Sequence, residues 1–256
     1  MDSTFRELFY NHDGRLIHKW DHYFEIYEKY LSKYKGKKIN ILEIGISHGG
    51  SLQLLKKYFG DQVTIYAIDI NPECQQFEEN STKIFIGSQS DPVFLQKVIS
   101  QLPPLDVVID DGGHTMIQQK VSFEMLYPIV KEGGFYLIED THTSYWNEFG
   151  GGLKKAESFV EYSKNFIDSL YIDHIHSGRR PLENKITEHI NSISFYDSII
   201  VFEKQKRPKP FHIRKGNETI ATPEPENKKE SLLKRIKSNI FGQEVHSFER
   251  NNKGKI

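Results

Sequence analysis

The chain has 256 residues, of which 37% are hydrophobic and 27% charged, and its formal net charge is −1. That size supports one full domain with appendages, and the charge balance excludes a general nucleic-acid binder, which carries a strong basic excess. A single cysteine, Cys74, excludes an intrachain disulfide and a cysteine-based zinc site.

Met1–Phe5 lacks a basic region leading into a long apolar core, so no signal peptide is read. No run approaches the roughly 20 apolar residues of a membrane span, and the expected setting is cytoplasmic. In residues 1–38, Trp20, Tyr23, Phe24, Tyr27 and Leu31 recur at helical spacing, which predicts a helical N-terminal cap. From Ile39 strands and helices alternate. Ile39–Ile44 reads as a strand, followed by a glycine loop and a helix over Ser51–Phe59. Val63–Ile68 is the second strand, ending in Asp69, and Asn71-Pro72 opens a short helix. Lys83–Ile86 is a short third strand, and Asp91-Pro92 starts a helix that runs to about Gln101. Leu105–Ile109 is the fourth strand, followed by a helix over Gln118–Val130 that Gly133-Gly134 would stop. Phe135–Ile138 is the fifth strand. The alternation predicts an α/β fold with a parallel sheet and helices on both faces.

Gly150-Gly151-Gly152 reads as a hinge or lid base, followed by a helix over Ala156–Ser169. Leu170–Ile175 and a long strand, Ile193–Glu203, are expected to pair antiparallel at the sheet edge, across the polar loop Ser177–Asn191. Arg179 and Arg180 in that loop could face an anionic acceptor or only solvent. Residues 204–230, with Pro208, Pro210, Pro223 and Pro225, read as a charged linker. Ser231–Phe241 is expected to form a basic amphipathic helix. It would dock on the domain or a partner subunit, or make weak contact with a membrane surface.

Two apolar strands end in carboxylates and imidazole. Leu105–Ile109 runs into Asp110-Asp111-Gly112-Gly113-His114, and Gly134–Ile138 into Glu139-Asp140-Thr141-His142. The carboxyl ends of parallel strands are where α/β folds place their chemistry. Upstream, Glu43-x-Gly45-x-x-x-Gly49 joins a strand to a helix, a setting in which glycines bring backbone N–H groups against a ligand. It is neither the G-x-G-x-x-G of dinucleotide enzymes nor a phosphate loop. An acid at the strand end suits a ligand with an ammonium or sulfonium charge, and Asp69 stands where an acid accepts from ribose hydroxyls.

On Ile41-Leu42-Glu43-Ile44-Gly45, Ile68-Asp69-Ile70 and Gly87–Asp91, the chain resembles class I S-adenosylmethionine-dependent methyltransferases. The resemblance implies a Rossmann-like, seven-stranded sheet whose last strand is antiparallel. It places Glu43, Gly45 and Gly49 on the methionine side of the cofactor and Asp69 on the ribose. Ser88, Gln89 and Asp91 would lie near the adenine, and Asp110 joins the cofactor set.

Asp111, Glu139 and Asp140 are hard oxygen donors on neighbouring strands, and such a cluster repels itself unless a cation or proton compensates. Mg²⁺ suits these donors better than zinc. The simpler reading makes Asp110 and Asp111 helix or turn caps, Glu139-Asp140 a solvated strand end and His114 a structural histidine. Asp111-Gly112-Gly113-His114 with Glu139-Asp140 is similar to the magnesium-dependent sugar O-methyltransferases of macrolide biosynthesis (the mycinamicin type) and to related cephalosporin-pathway proteins. The match runs from about Asn11 to Glu203. By it Asp111, Glu139 and Asp140 hold the metal, His114 is the general base, and the assembly is a homo-oligomer acting on a small-molecule or glycan acceptor. His142, Tyr145 and Trp146 are candidate acceptor contacts, or else a packed lid. A dinucleotide oxidoreductase, a non-catalytic cofactor-binding scaffold and a methyltransferase of non-sugar diols or antibiotic cores are the competing readings. The expected organisation is a cap over residues 1–38, a methyltransferase domain over 39–204, and a linker and helix over 205–256.

Overall fold

A computed structural model describes residues 3–176, 178, 181 and 184–220. The chain divides into one unit over Met1–Pro210 and a second over Phe211–Ile256. The helix expected at Ser231–Phe241, and Arg179 and Arg180, lie outside the described residues.

The first unit opens with α1 (Phe5–Tyr10) and α2 (Tyr23–Leu31), joined by a stretch without regular structure. The alternating part follows as β1 (Ile39–Ile44), α3 (Gly50–Phe59), β2 (Val63–Asp69), β3 (Thr82–Ile86), α4 (Pro92–Ile99), β4 (Leu105–Asp110), α5 (Met116–Leu126) and β5 (Val130–Ile138). After it come the short helices α6 (Phe159–Lys164) and α7 (Ile167–Leu170), then β6 (Ile190–Phe195) and β7 (Ile200–Lys204). Helix starts follow local chemistry. Asp91 caps α4 by accepting from Val93 and Phe94 N–H, with Pro92 in the first turn. Thr115 and Gln118 form a capping box that starts α5.

The seven strands lie in the order β3-β2-β1-β4-β5-β7-β6. The pairs from β3 to β5 are parallel, and β7 is antiparallel to both β5 and β6. The chain leaves β3 at one edge and returns as β4 beside β1. The crossovers on either side of β1 and β4 therefore diverge, and their carboxyl ends frame the crevice where such sheets bind ligands.

Alternate residues of each strand feed two cores, one per face. Ile41, Val107, Ile109 and Leu137 pack with Phe24, Leu31, Leu52 and Leu55 of α2 and α3. Leu42, Val108, Tyr136 and Ile138 pack with Leu95, Phe123, Leu126 and Phe159 of α4, α5 and α6. Burial on both faces is why these strands read as continuous apolar runs. Among the described residues no helix is long and apolar enough to cross a membrane.

Several expected elements differ. Leu170–Ile175 is helical, the end of α7 followed by a 3-10 turn at Ile172–His174. The single strand expected over Ile193–Glu203 is a hairpin, broken where Ser198 takes a φ of +64° and Tyr196 N–H donates to Ile199 C=O. The antiparallel pair at the sheet edge is thus β6 and β7. Gly133-Gly134 lies inside β5 and stops no helix. Helix α5 ends at Leu126, and Pro128 in the next turn supplies no N–H to continue it. Ala156–Ser169 forms two short helices instead of one. Gly150-Gly151-Gly152 is a packed turn, with Gly151 and Gly152 N–H donating to Trp146 and Ser144 carbonyls.

Phe123 is fully buried, and its ring meets Tyr127, Tyr136, Phe159, Tyr162, Phe166 and Phe202. Phe123→Ala is expected to destabilise the fold by about 3–5 kcal/mol, read from urea unfolding.

Candidate active site

The loops after β1 and β4 touch backbone to backbone. Asp111 N–H donates to Ile44 C=O at 2.9 Å, and Gly45 N–H donates to Ile68 C=O at 2.8 Å. Gly45 has φ +81°, and a Cβ there would stand 2.1 Å from Asp111 O. No side chain fits, which is the physical reason for glycine at this position. Gly49, with φ +72°, caps α3. Glu43 is buried and accepts from Ser51 Oγ at 3.0 Å. The Asp69 carboxylate holds the loop in place. Its Oδ2 accepts from Ile46 and Ser47 N–H and its Oδ1 from Asn71 N–H.

These loops enclose a cavity of about 440 Å³, lined by Gly45, Asp69, Ser88, Gln89, Asp111 and Gly113 among others. Gln89 braces its floor, donating to Asp110 Oδ1 at 2.9 Å and accepting from Gly113 N–H at 2.8 Å. Four residues of the expected cofactor set, Asp91, Asp110, Gly49 and Glu43, stand apart from its lining. Asp91 is the α4 cap. Asp110 is buried and accepts from Gln89, Ser122 and Tyr136, so its carboxylate serves the packing beneath the crevice. Gly49 and Glu43 are likewise absent from the lining and shape the loop from behind.

A second cavity, of about 260 Å³, shares Gly45, Ser47, Asp111 and Gly112 with the first. His114, Asp140, His18 and Lys19 also line it. His114 Nε2 lies 3.4 Å from Asp140 Oδ2 and 3.8 Å from Asp111 Oδ1. Donor atoms of Asp111, His114 and Asp140 all fall within 4.8 Å of one another. His114 and Asp140 both have left-handed backbones, with φ +57° and +52°. Non-glycine residues hold that conformation at a cost, and two together at one site mark a constrained geometry. His114 Nδ1 is buried and has no hydrogen-bond partner among the described residues.

Glu139 reaches the cluster through a cation. Lys19 Nζ donates to Asp111 Oδ2 at 2.5 Å and to Glu139 Oε1 at 2.6 Å. The Tyr27 hydroxyl donates to the same Glu139 oxygen, and the Tyr23 hydroxyl to Asp140 Oδ1 at 2.5 Å. Read as a sequence, Tyr23 and Tyr27 belong to the packing face of a cap helix, and Lys19 attracts no notice. The spacing signals only Tyr23 and Tyr27, which stand four residues apart on one side of α2, while Lys19 precedes that helix and leaves no local signal. The N-terminal segment therefore completes the site as well as covering it.

Three carboxylates, Glu43, Asp111 and Glu139, share this ammonium, while Asp140 is held by Tyr23. Burial pushes Glu43 and Glu139 up to about 7 and Asp111 up to about 6, against the pull of Lys19 toward ordinary values. Burial alone would lower the Lys19 ammonium, yet Asp111 and Glu139 hold it well above its ordinary value. The excess of hard oxygen donors over positive charge fits a divalent ion of the Mg²⁺ kind. The expected acceptor residues stand nearby, outside both cavities' linings. His142 Nδ1 is 3.1 Å from Ser198 Oγ, and its ring meets Trp146 at 4.7 Å and Trp20 at 6.0 Å. Tyr145 and Trp146 are exposed.

Residues 42–141 match the family described as "Methyltransferase domain". The chain carries a methyltransferase domain. Over 190 residues it is 33% identical to demethylmacrocin O-methyltransferase of Streptomyces fradiae, covering 70% of this chain and 47% of that protein. Over 188 residues it is 30% identical to mycinamicin VI 2''-O-methyltransferase of Micromonospora griseorubida, with the same coverages. The chain spans about half the length of these curated relatives. The MycE methyltransferase of the mycinamycin biosynthetic pathway, solved in complex with Mg and SAH, superposes with a TM-score of 0.73 at 26% identity. That match covers 80% of this chain and 55% of MycE. The seven-stranded sheet with antiparallel β7 is thus the methyltransferase fold.

The raised carboxylates carry a pH signature. Their folded-state values exceed their unfolded ones, so protonation favours the folded form. Their contribution is full below the ordinary carboxylate range and is lost as the pH climbs through about 6 to about 7. With divalent ions chelated, denaturant stability is expected to fall between about pH 5 and pH 8. A flat profile would contradict this electrostatic account.

Proposed function

We propose that this chain is an Mg²⁺-dependent O-methyltransferase. It would move a methyl group from S-adenosylmethionine to a hydroxyl of a sugar, on a glycosylated natural product or a polysaccharide. The observation that carries the reading is the meeting of two cavities at Gly45 and Asp111, one framed by the glycine loop and the other by Asp111, His114 and Asp140. The sugar methyltransferases among the relatives support the acceptor class. A cytoplasmic homo-oligomer is part of the same proposal.

In this reading the larger cavity takes the cofactor. The Gly45 and Ser47 side of the glycine loop would stand against it, the Asp69 edge would meet its ribose, and Ser88 and Gln89 would flank its adenine. The buried Glu43 favours a cation on the methionine side. Asp111, Asp140 and Glu139 would hold the metal, which when bound lowers the pKa of an acceptor hydroxyl touching it. His114 takes the hydroxyl proton at Nε2, the ring nitrogen beside Asp140. The acceptor oxygen then forms its bond to the methyl carbon as the carbon–sulfur bond breaks, and S-adenosylhomocysteine leaves. Positioning donor and acceptor across the shared Gly45–Asp111 wall supplies much of the acceleration.

S-adenosylhomocysteine should raise the melting temperature where NAD does not. Gly45→Ala, whose methyl group would collide with Asp111 O, should remove that shift. With a panel of glycosylated acceptors, release of S-adenosylhomocysteine should require Mg²⁺, stop with chelator, and fall about 10²–10⁴-fold in His114→Ala. Equal rates in all these conditions would reject the reading.

A further inference from the structure

The oxygens of the acidic cluster divide into two sets. Asp111 Oδ2 and Glu139 Oε1 are held by Lys19, with Tyr27 also on Glu139, and Asp140 Oδ1 is held by Tyr23. Asp111 Oδ1 and Asp140 Oδ2 instead face His114. The Lys19 side chain is 6% exposed and bridges two of the three carboxylates proposed as metal ligands. An ammonium this close to a dication on the same carboxylates would be repelled strongly, because both would stand in a water-poor pocket.

The backbone around Lys19 suits a movable group. Lys19 lies in the stretch between α1 and α2 that has no helix or strand. Leu16, Ile17, His18 and Lys19 form one wall of the smaller cavity. A lysine stem has four carbons and rotates freely, so the charge can swing toward that cavity without unfolding α2.

We infer that Lys19 is a displaceable internal counter-ion, which joins Asp111 to Glu139 when no divalent ion is bound and gives up Glu139 when one binds. The inference rests on the proposed metal-dependent function. It makes Lys19 a positioning residue that opposes metal loading and keeps the metal-free site from repelling itself. It also couples loading to the acceptor cavity, since the displaced ammonium moves along that cavity's wall.

The test uses Mn²⁺ as the probe on the full chain. Lys19→Met keeps most of the stem and removes the charge. Titration followed by electron paramagnetic resonance is expected to show Mn²⁺ bound at least about tenfold more tightly than in the unsubstituted protein. The metal-free variant should melt lower than the unsubstituted protein, and Mn²⁺ should raise its melting temperature by more. Equal or weaker binding by the variant would overturn the inference while leaving the metal-dependent reading intact. No binding by either protein would overturn both. Should Lys19→Met not fold, lysine acetylation of the unsubstituted chain read by mass spectrometry decides the matter. Lys19 should label faster with Mn²⁺ than with chelator, and an unchanged rate overturns the inference.

Discussion

Carboxylates that leave water need a cation or a proton, and Glu43, Asp111, Glu139 and Asp140 leave it together at the ends of β1, β4 and β5. The rest of the site answers that demand. Lys19 brings one positive charge, Tyr23 and Tyr27 bring hydroxyl donors, and Ser51 attends to Glu43. None of these partners comes from the strands that carry the acids. The sheet sets where the negative charge collects, and α2 with the stretch before it, joined by α3, makes the collection tolerable.

The same division explains what could be read from the sequence. Strands β1, β2, β4 and the end of β5 are buried on both faces, so their apolar runs announce them. The acids at their ends follow directly. The β6–β7 hairpin hides because its turn, around Asp197 and Ser198, has no glycine and interrupts a run rich in isoleucine and valine. Leu170–Ile175 misleads for the opposite reason, since its apolar residues belong to short helical turns packed near β6. Lys19 escapes notice because a lysine beside an exposed tryptophan looks like surface. Its burial depends on contacts with residues about 90 and 120 positions away, and local pattern carries no such information.

Placement also separates residues that share a motif. Asp110 and Asp111 are adjacent, yet alternation along β4 sends Asp110 into the core beneath the crevice and leaves Asp111 at its mouth. Asp69 stands where an acid would meet a ribose, and it also ties down the glycine loop through backbone amides. One carboxylate thus fixes the loop and lines the edge of the larger cavity.

The contact between Gly45 and the Asp111 carbonyl has a consequence for how relatives could diverge. The partition separating the two chambers is main chain, not side chain, and main chain changes slowly under point mutation. The residues around Leu16 and His18 in the smaller cavity can therefore vary while the Gly45–Asp111 wall stays as it is. Swapping segments between relatives is less forgiving. A crossover at the start of β1 would part the lysine and phenols from the acids they serve, and the hybrid would inherit mismatched halves of one electrostatic unit.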